Sequence, residues 1–206
     1  MDQVKQLEIR EIVFTGTTTD PQLYDHEEEL ITLIREKISD IKISVHTNGV
    51  LAIRKMKIFN LYDRACISFP SFDPDTYNKM MGSNHVPDIA AIVRRAKIPV
   101  KISCIINEHN VHELTEFAVR LQAIGVKRIV LRKLFGDSRN WEVLRDRYPV
   151  SYYRENPVYD VNGMEVTYWD FDLTKSRSIN LFPNGTISSN YLLVKPFFET
   201  VQVDAK

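Results

Sequence analysis

The chain has 206 residues, 44% hydrophobic and 26% charged, enough for one sizeable core or one core plus a small appendage. Lys plus Arg and Asp plus Glu number 27 each, and the resulting net charge of zero argues against a strongly nucleic-acid-binding or acidic-membrane-binding surface. With 2 cysteines, no apolar run near the ~18 residues of a membrane span and no signal-peptide core, the sequence excludes a disulfide framework and reads as cytoplasmic.

Strand and helix then alternate. Glu11 to Thr15 reads as a strand, and Asp25 to Ser39 as a helix with Leu30, Ile31, Ile34 and Ile38 on one face. Ile41 to His46 is the next strand, followed by Thr47-Asn48-Gly49 and a basic helix near Leu51 to Phe59. Ala65 to Phe69 is the third strand. Asp73-Pro74 starts a helix toward Met81 that Gly82-Ser83-Asn84 closes, and Val86 to Ala96 forms another. Pro99 to Ile106 is almost continuously apolar, as suits a parallel strand covered on both faces. Asn110 caps a helix from Val111 to Ile124, which ends at Gly125. Lys127 to Leu131 is the fifth strand, and the spacing of strand starts is that of successive βα units.

After Gly136 the pattern changes. Asp137 to Arg147 reads as a helix, and Tyr148 to Tyr159 is rich in Tyr and Pro. Met164 to Phe171 and Ser178 to Leu193 read as antiparallel strands, with Asn184-Gly185 as a hairpin signal. The expected architecture is α/β: a partial, open (β/α) TIM-like barrel over residues 1–136, then a β-rich C-terminal extension over 137–206.

Ligands of α/β proteins gather at the carboxyl ends of the strands. There Gly16 and Thr17, Thr18 and Thr19 offer backbone N–H groups and hydroxyls, and Asp20 offers an acceptor for an ammonium group. Asp20-Pro21 is equally a helix N-cap followed by Pro at the first helical position. Thr47-Asn48-Gly49 serves as a turn or as a ligand loop. Ser68 and Ser103 are polar residues inside apolar strands, and Lys101 and Arg132 are charges in the same class of position. Buried groups of this kind need a partner or a ligand. His46 ends its strand, either as an acid–base group or as a satisfied, half-exposed histidine. His109 and His112 with Glu108 and Glu113 read as a solvated cap rather than a metal site, and Cys66 and Cys104 as buried reduced thiols. No nucleophile triad, P-loop or dinucleotide fingerprint is present.

Taken in order, these segments resemble the radical S-adenosylmethionine (radical SAM) superfamily, in particular its molybdenum-cofactor GTP cyclase branch. Thr18-Thr19-Asp20-Pro21 resembles the strand-2 motif Gly-Gly-Glu-Pro, and His46-Thr47-Asn48-Gly49 the strand-3 Thr-Asn-Gly. Ile67-Ser68-Phe69-Pro70-Ser71-Phe72-Asp73-Pro74-Asp75-Thr76-Tyr77 resembles the strand-4 phrase Ile-Ser-Leu-Asp-Ser-Leu-Asp-Pro-Glu-Thr-Tyr. Val100 to Asn107 is similar to strand 5, and Val126 to Gly136 to strand 6.

The resemblance implies S-adenosyl-L-methionine as cofactor, cleaved reductively by a [4Fe-4S] cluster to act on an organic substrate. It implies that Thr17, Thr18, Thr19 and Asp20 meet the methionine amino group, that Asn48 also contacts the cofactor, that Ser68 and Ser103 meet the ribose or carboxylate, and that the backbone around Leu131 meets the adenine. His46, Arg132 and Lys133 are then the residues expected to reach the substrate, the two basic ones suiting an anionic substrate.

The Cys-x3-Cys-x2-Cys loop that holds the cluster in this family is absent from the sequence. The chain is therefore expected to be an N-terminally truncated family member, inactive by itself, with an added segment or a partner chain covering its first strand edge. The alternatives are a degenerate, non-catalytic nucleotide-binding or protein-interaction module, and an unrelated α/β domain.

Overall fold

The computed structural model of the chain describes residues 8–16, 19–174, 178–182 and 185–188. Five strands follow one another in chain order and run parallel: β1 (Glu11–Phe14), β2 (Lys42–Thr47), β3 (Arg64–Ser68), β4 (Val100–Ile106) and β5 (Arg128–Lys133). Parallel neighbours require crossovers. These carry the helices α1 (Glu27–Lys37), α2 (Met56–Phe59), α3 (Pro74–Met81), α4 (Ile89–Arg95) and α5 (Leu114–Ile124). The sheet continues through β6 (Ser151–Tyr153), β7 (Asn156–Val161) and β8 (Met164–Trp169), in the spatial order β1-β2-β3-β4-β5-β8-β7-β6. It does not close on itself. The fold is α/β, a partial open (β/α) barrel with a β-rich segment after it.

The helices cover one face. Ile43, Val45, Ile67, Ile102, Ile106 and Ile129 project into them from the sheet, and Ile31, Ile34, Ile92, Phe117 and Leu121 meet these from α1, α4 and α5. All are at most 4% exposed, and each such side chain contributes roughly 1.5–3 kcal/mol by leaving water. Local chemistry sets the helix ends. Asp73 accepts from the Thr76 N–H at 2.8 Å with Pro74 next to it, and Gly82 closes α3 in the left-handed conformation at φ 67°.

Several elements differ from the sequence expectation. No helix forms over Asp137–Arg147: the Asp137 carboxylate accepts from the Arg139 N–H and from Trp141 Nε1, and Leu144 adopts φ 62°. Side-chain bonds to the nearby backbone compete with helical ones, and a left-handed leucine ends any helix. Asn110 makes no capping bond, and α5 is entered through a 3-10 turn at Val111–Glu113. The basic helix near Leu51 shrinks to the four residues of α2, preceded by turns. β8 pairs antiparallel with β7, a strand the sequence reading did not anticipate, and parallel with β5, so it also extends the barrel sheet. A short antiparallel pair, β9 (Asn180–Leu181) with β10 (Ile187–Ser188), flanks the expected turn. Asn184 and the remainder of the Ser178–Leu193 strand expectation, including 189–193, lie outside the described residues.

Candidate functional site

Side chains alternate between the two faces of a strand. Since Ile43, Val45, Ile67, Ile102 and Ile129 face the helices, the strand registers place the intervening residues on the other, open face, the inner wall of the partial barrel. His46 pairs with Cys66, Cys66 with Lys101, and Ser68 with Ser103 across β2, β3 and β4. Arg132 on β5 pairs with Trp169 on β8. Five of these residues were singled out in the sequence as polar interruptions of apolar strands or at their ends. Cys66 and Trp169 were not placed at the site, although counting in twos from Ser68 and along β8 from Thr167 identifies both.

Asp20 organises the carboxyl edge. One of its oxygens accepts from the Gln22 N–H at 2.9 Å, and the other from Thr47 Oγ1 at 2.8 Å and the Asn48 N–H at 2.7 Å. Three of the roughly four acceptor positions of a carboxylate are thus occupied by the chain itself. Asp20 ties the loop after β1 to the end of β2 and also caps the 3-10 turn Pro21–Leu23, the N-cap reading of Asp-Pro. Asn48 bonds the Val50 N–H through Oδ1 at 2.9 Å, while Gly49 adopts φ 81° against Ile67. A Cβ on Gly16 would run into the Thr19 carbonyl, so only glycine permits this tight turn. Thr19 is exposed; Thr17 and Thr18 lie outside the described residues.

Ser68 is exposed at the end of β3, and its register partner Ser103 is 6% exposed, with its hydroxyl bonded to the Cys66 thiol. The Leu131 side chain faces the helices and is 7% exposed, leaving only its backbone for a ligand. Lys133 does not reach the open face. It alternates to the opposite side from Arg132, aligned with the buried Ile106, and pairs with Asp170 at 3.3 Å. Its ammonium is therefore held by the chain.

His46 is half-buried, and its imidazole pKa is lowered to about 4 by burial first and then by the positive charges of Lys101, Arg132 and Arg64. It is neutral at pH 7. The unfolded chain takes up a proton near pH 6.5 that the folded chain refuses until about 4, so folding stability falls as pH drops through that window. The denaturant midpoint should therefore be lower at pH 5 than at pH 7, and His46→Gln should shrink that difference. Equal pH dependence in the two proteins would exclude this burial of a neutral imidazole.

The residues present do not fit an iron–sulfur cluster. Cys66 faces the inner wall at 3% exposure, while Cys104 lies among the helix-facing core residues at 0%. Burial raises both thiol pKa values, Cys104 to about 12, whereas cluster ligands are thiolates. Among the described residues no group of three or more His, Cys, Asp or Glu could hold a metal ion. The His109, His112, Glu108 and Glu113 cluster instead has Glu108 paired with Arg139 at 2.8 Å.

An open barrel of parallel strands with polar side chains along its inner wall defines an α/β protein of partial-barrel type. The Radical SAM superfamily profile matches residues 1–121, and the chain belongs to that superfamily. A solved structure, of TYW1 with a lysine-pyruvate adduct bound, is similar at a TM-score of 0.50 and 19% identity. The match covers 66% of this chain and 45% of that one, so the chain spans less than half the length of the TYW1 chain. At that identity the likeness concerns the fold. No curated protein sequence matches the chain. No helix among the described residues is long and apolar enough to cross a membrane.

Proposed function

We propose that the chain forms the S-adenosylmethionine-binding wall of a radical SAM enzyme, with the cluster's thiolates supplied from outside these 206 residues. The observation that carries this reading is the register of β2, β3 and β4. It aligns Ser68 with Ser103 at the end of β3 and along β4, with Asn48 following the last paired residue of β2, Thr47, next to a β1 loop that Asp20 fastens to β2. The cofactor presents an ammonium, a carboxylate and a ribose diol, and this edge offers hydroxyls, an amide and free loop backbone. Ser68 and Ser103 bond the ribose or carboxylate, the loop carbonyls near Gly16 and Thr19 take the ammonium, and the backbone at Leu131 borders the adenine. Asp20 acts as a positioning residue. When bound, S-adenosylmethionine supplies the adenosyl group from which members of this superfamily generate a radical.

Membership of the molybdenum-cofactor GTP cyclase branch, a cytoplasmic location, and a division into a barrel (1–136) and an extension (137–206) are parts of the same proposal. Calorimetric titration of the chain with S-adenosylmethionine tests it. Ser68 is exposed and outside the core, so Ser68→Phe should obstruct the cleft and weaken binding at least tenfold without lowering the unfolding temperature. Absence of binding by the unmodified chain, or equal binding by Ser68→Phe, would reject the reading.

A further inference from the structure

The inner wall carries more positive charge than its own acids neutralise. Arg64 is paired with Glu11, and Arg128 with Glu165 at 2.6 Å. Lys101 and Arg132 have no such counter-ion among the described residues. Lys101 is half-buried, and its pKa is lowered by burial and by Arg132, Arg128 and Arg64; the opposing influence comes from Cys66, a thiol that burial keeps protonated. The guanidinium of Arg132 stands 5.9 Å over the ring of Phe171, which provides attraction but accepts no hydrogen bond along Nε. Arg132 Nε and Trp169 Nε1 are both buried without a partner, at register-paired positions on β5 and β8.

Two unneutralised cations and two unaccepted donors on one wall destabilise a protein, because buried charges and donors require acceptors. The arrangement becomes favourable when an anion is present. Lys101 lies two residues before Ser103 on β4, whereas Arg132 and Trp169 are level with Ile105, two residues beyond it, so the two cations flank Ser103 along the wall.

We propose that Lys101 and Arg132, with Trp169 Nε1 as a further donor, bind the carboxylate or phosphate group of the substrate on the inner wall. The word substrate here rests on the cofactor reading above, whereas the anion site stands on its own charges. His46 faces the same wall on β2, two strands away from Lys101. The sequence expectation of an anionic substrate met by Arg132 and Lys133 thus changes one member: Lys101 takes the place of Lys133, which Asp170 already holds.

The test is calorimetric titration of the 206-residue chain with inorganic phosphate and, separately, succinate, accompanied by thermal unfolding in anion-poor buffer. The unmodified chain should bind at least one probe, and the tighter one identifies the group. Lys101→Met and Arg132→Gln should each weaken that binding at least tenfold. Lys101→Met should also raise the unfolding temperature, since it removes an uncompensated charge; a purely structural lysine would lower it. Failure of both probes to bind, unchanged affinity in both variants, or a lowered unfolding temperature in Lys101→Met overturns the proposal. Loss of S-adenosylmethionine binding with phosphate or succinate binding intact rejects the cofactor reading and leaves the anion site standing.

Discussion

Replacing Glu27 with alanine is expected to destabilise the chain by about 3–5 kcal/mol, the penalty for stripping one partner from a buried ion pair. Glu27 is 0% exposed, binds Lys55 Nζ at 2.6 Å and accepts from the Tyr62 hydroxyl at 2.6 Å. Lys55 also donates to the carbonyls of Gln22 at 2.6 Å and Tyr24 at 3.1 Å. Burial and the adjacent carboxylate push the Tyr62 phenol well above its ordinary range, so it remains a donor at every working pH. Removing the carboxylate leaves an ammonium at 18% side-chain exposure and a buried hydroxyl without their acceptor. For a domain of this size the unfolding temperature should fall by roughly 10 °C. Glu27→Gln keeps an acceptor and should lose less. Combining Glu27→Ala with Lys55→Met should recover part of the loss, because the orphaned charge is then gone. A loss under about 1 kcal/mol in the alanine variant would show that the pair contributes little more than a surface salt bridge.

Asn110→Ala should be the next most damaging substitution, at about 3 kcal/mol, since it orphans several buried backbone groups at once. Asn110 is 0% exposed; its amide nitrogen donates to the carbonyls of Ile105 at 2.9 Å and Pro70 at 3.1 Å, and its oxygen accepts from the Asn107 N–H at 3.0 Å. Pro70 follows the end of β3, two residues beyond Ser68, so this one side chain fixes the connection after β3 against the end of β4. Chemical denaturation measures the loss, and S-adenosylmethionine titration reports whether Ser68 has moved. Full stability in Asn110→Ala would mean that water replaces these bonds without penalty.

The parallel core of the fold was legible because it is written in local terms. Apolar runs of strand length, the Asp73-Pro74 helix start and the glycines at 82 and 125 each act within a few residues. What escaped depends on partners distant in the chain. Asn110 has the residue type and position of an N-cap, yet its bonds go 40 residues back to Pro70. The parallel pairing of β8 with β5 depends on where the barrel sheet leaves an open edge, which the strand pattern of Met164–Phe171 does not reveal. In the site, the residue types were legible and the faces were not. Arg132 and Lys133 are adjacent basic residues in sequence, and only the pleat separates an inner-wall cation from one bound to Asp170. The same parity separates the two cysteines, which a count of thiols alone treats as equivalent.

The fastenings around β1 also govern how the molecule opens. A four-residue strand with a single neighbour among the described strands ordinarily frays first and independently. Here the segment leaving β1 is fixed twice, by Asp20 to Thr47 and Asn48 and by Lys55 to the carbonyls of Gln22 and Tyr24. Lys55 is itself anchored to α1 through Glu27. The first two βα units therefore share one cooperative opening event. Solvent should therefore reach the amides of the edge strand at a rate set by that joint unit.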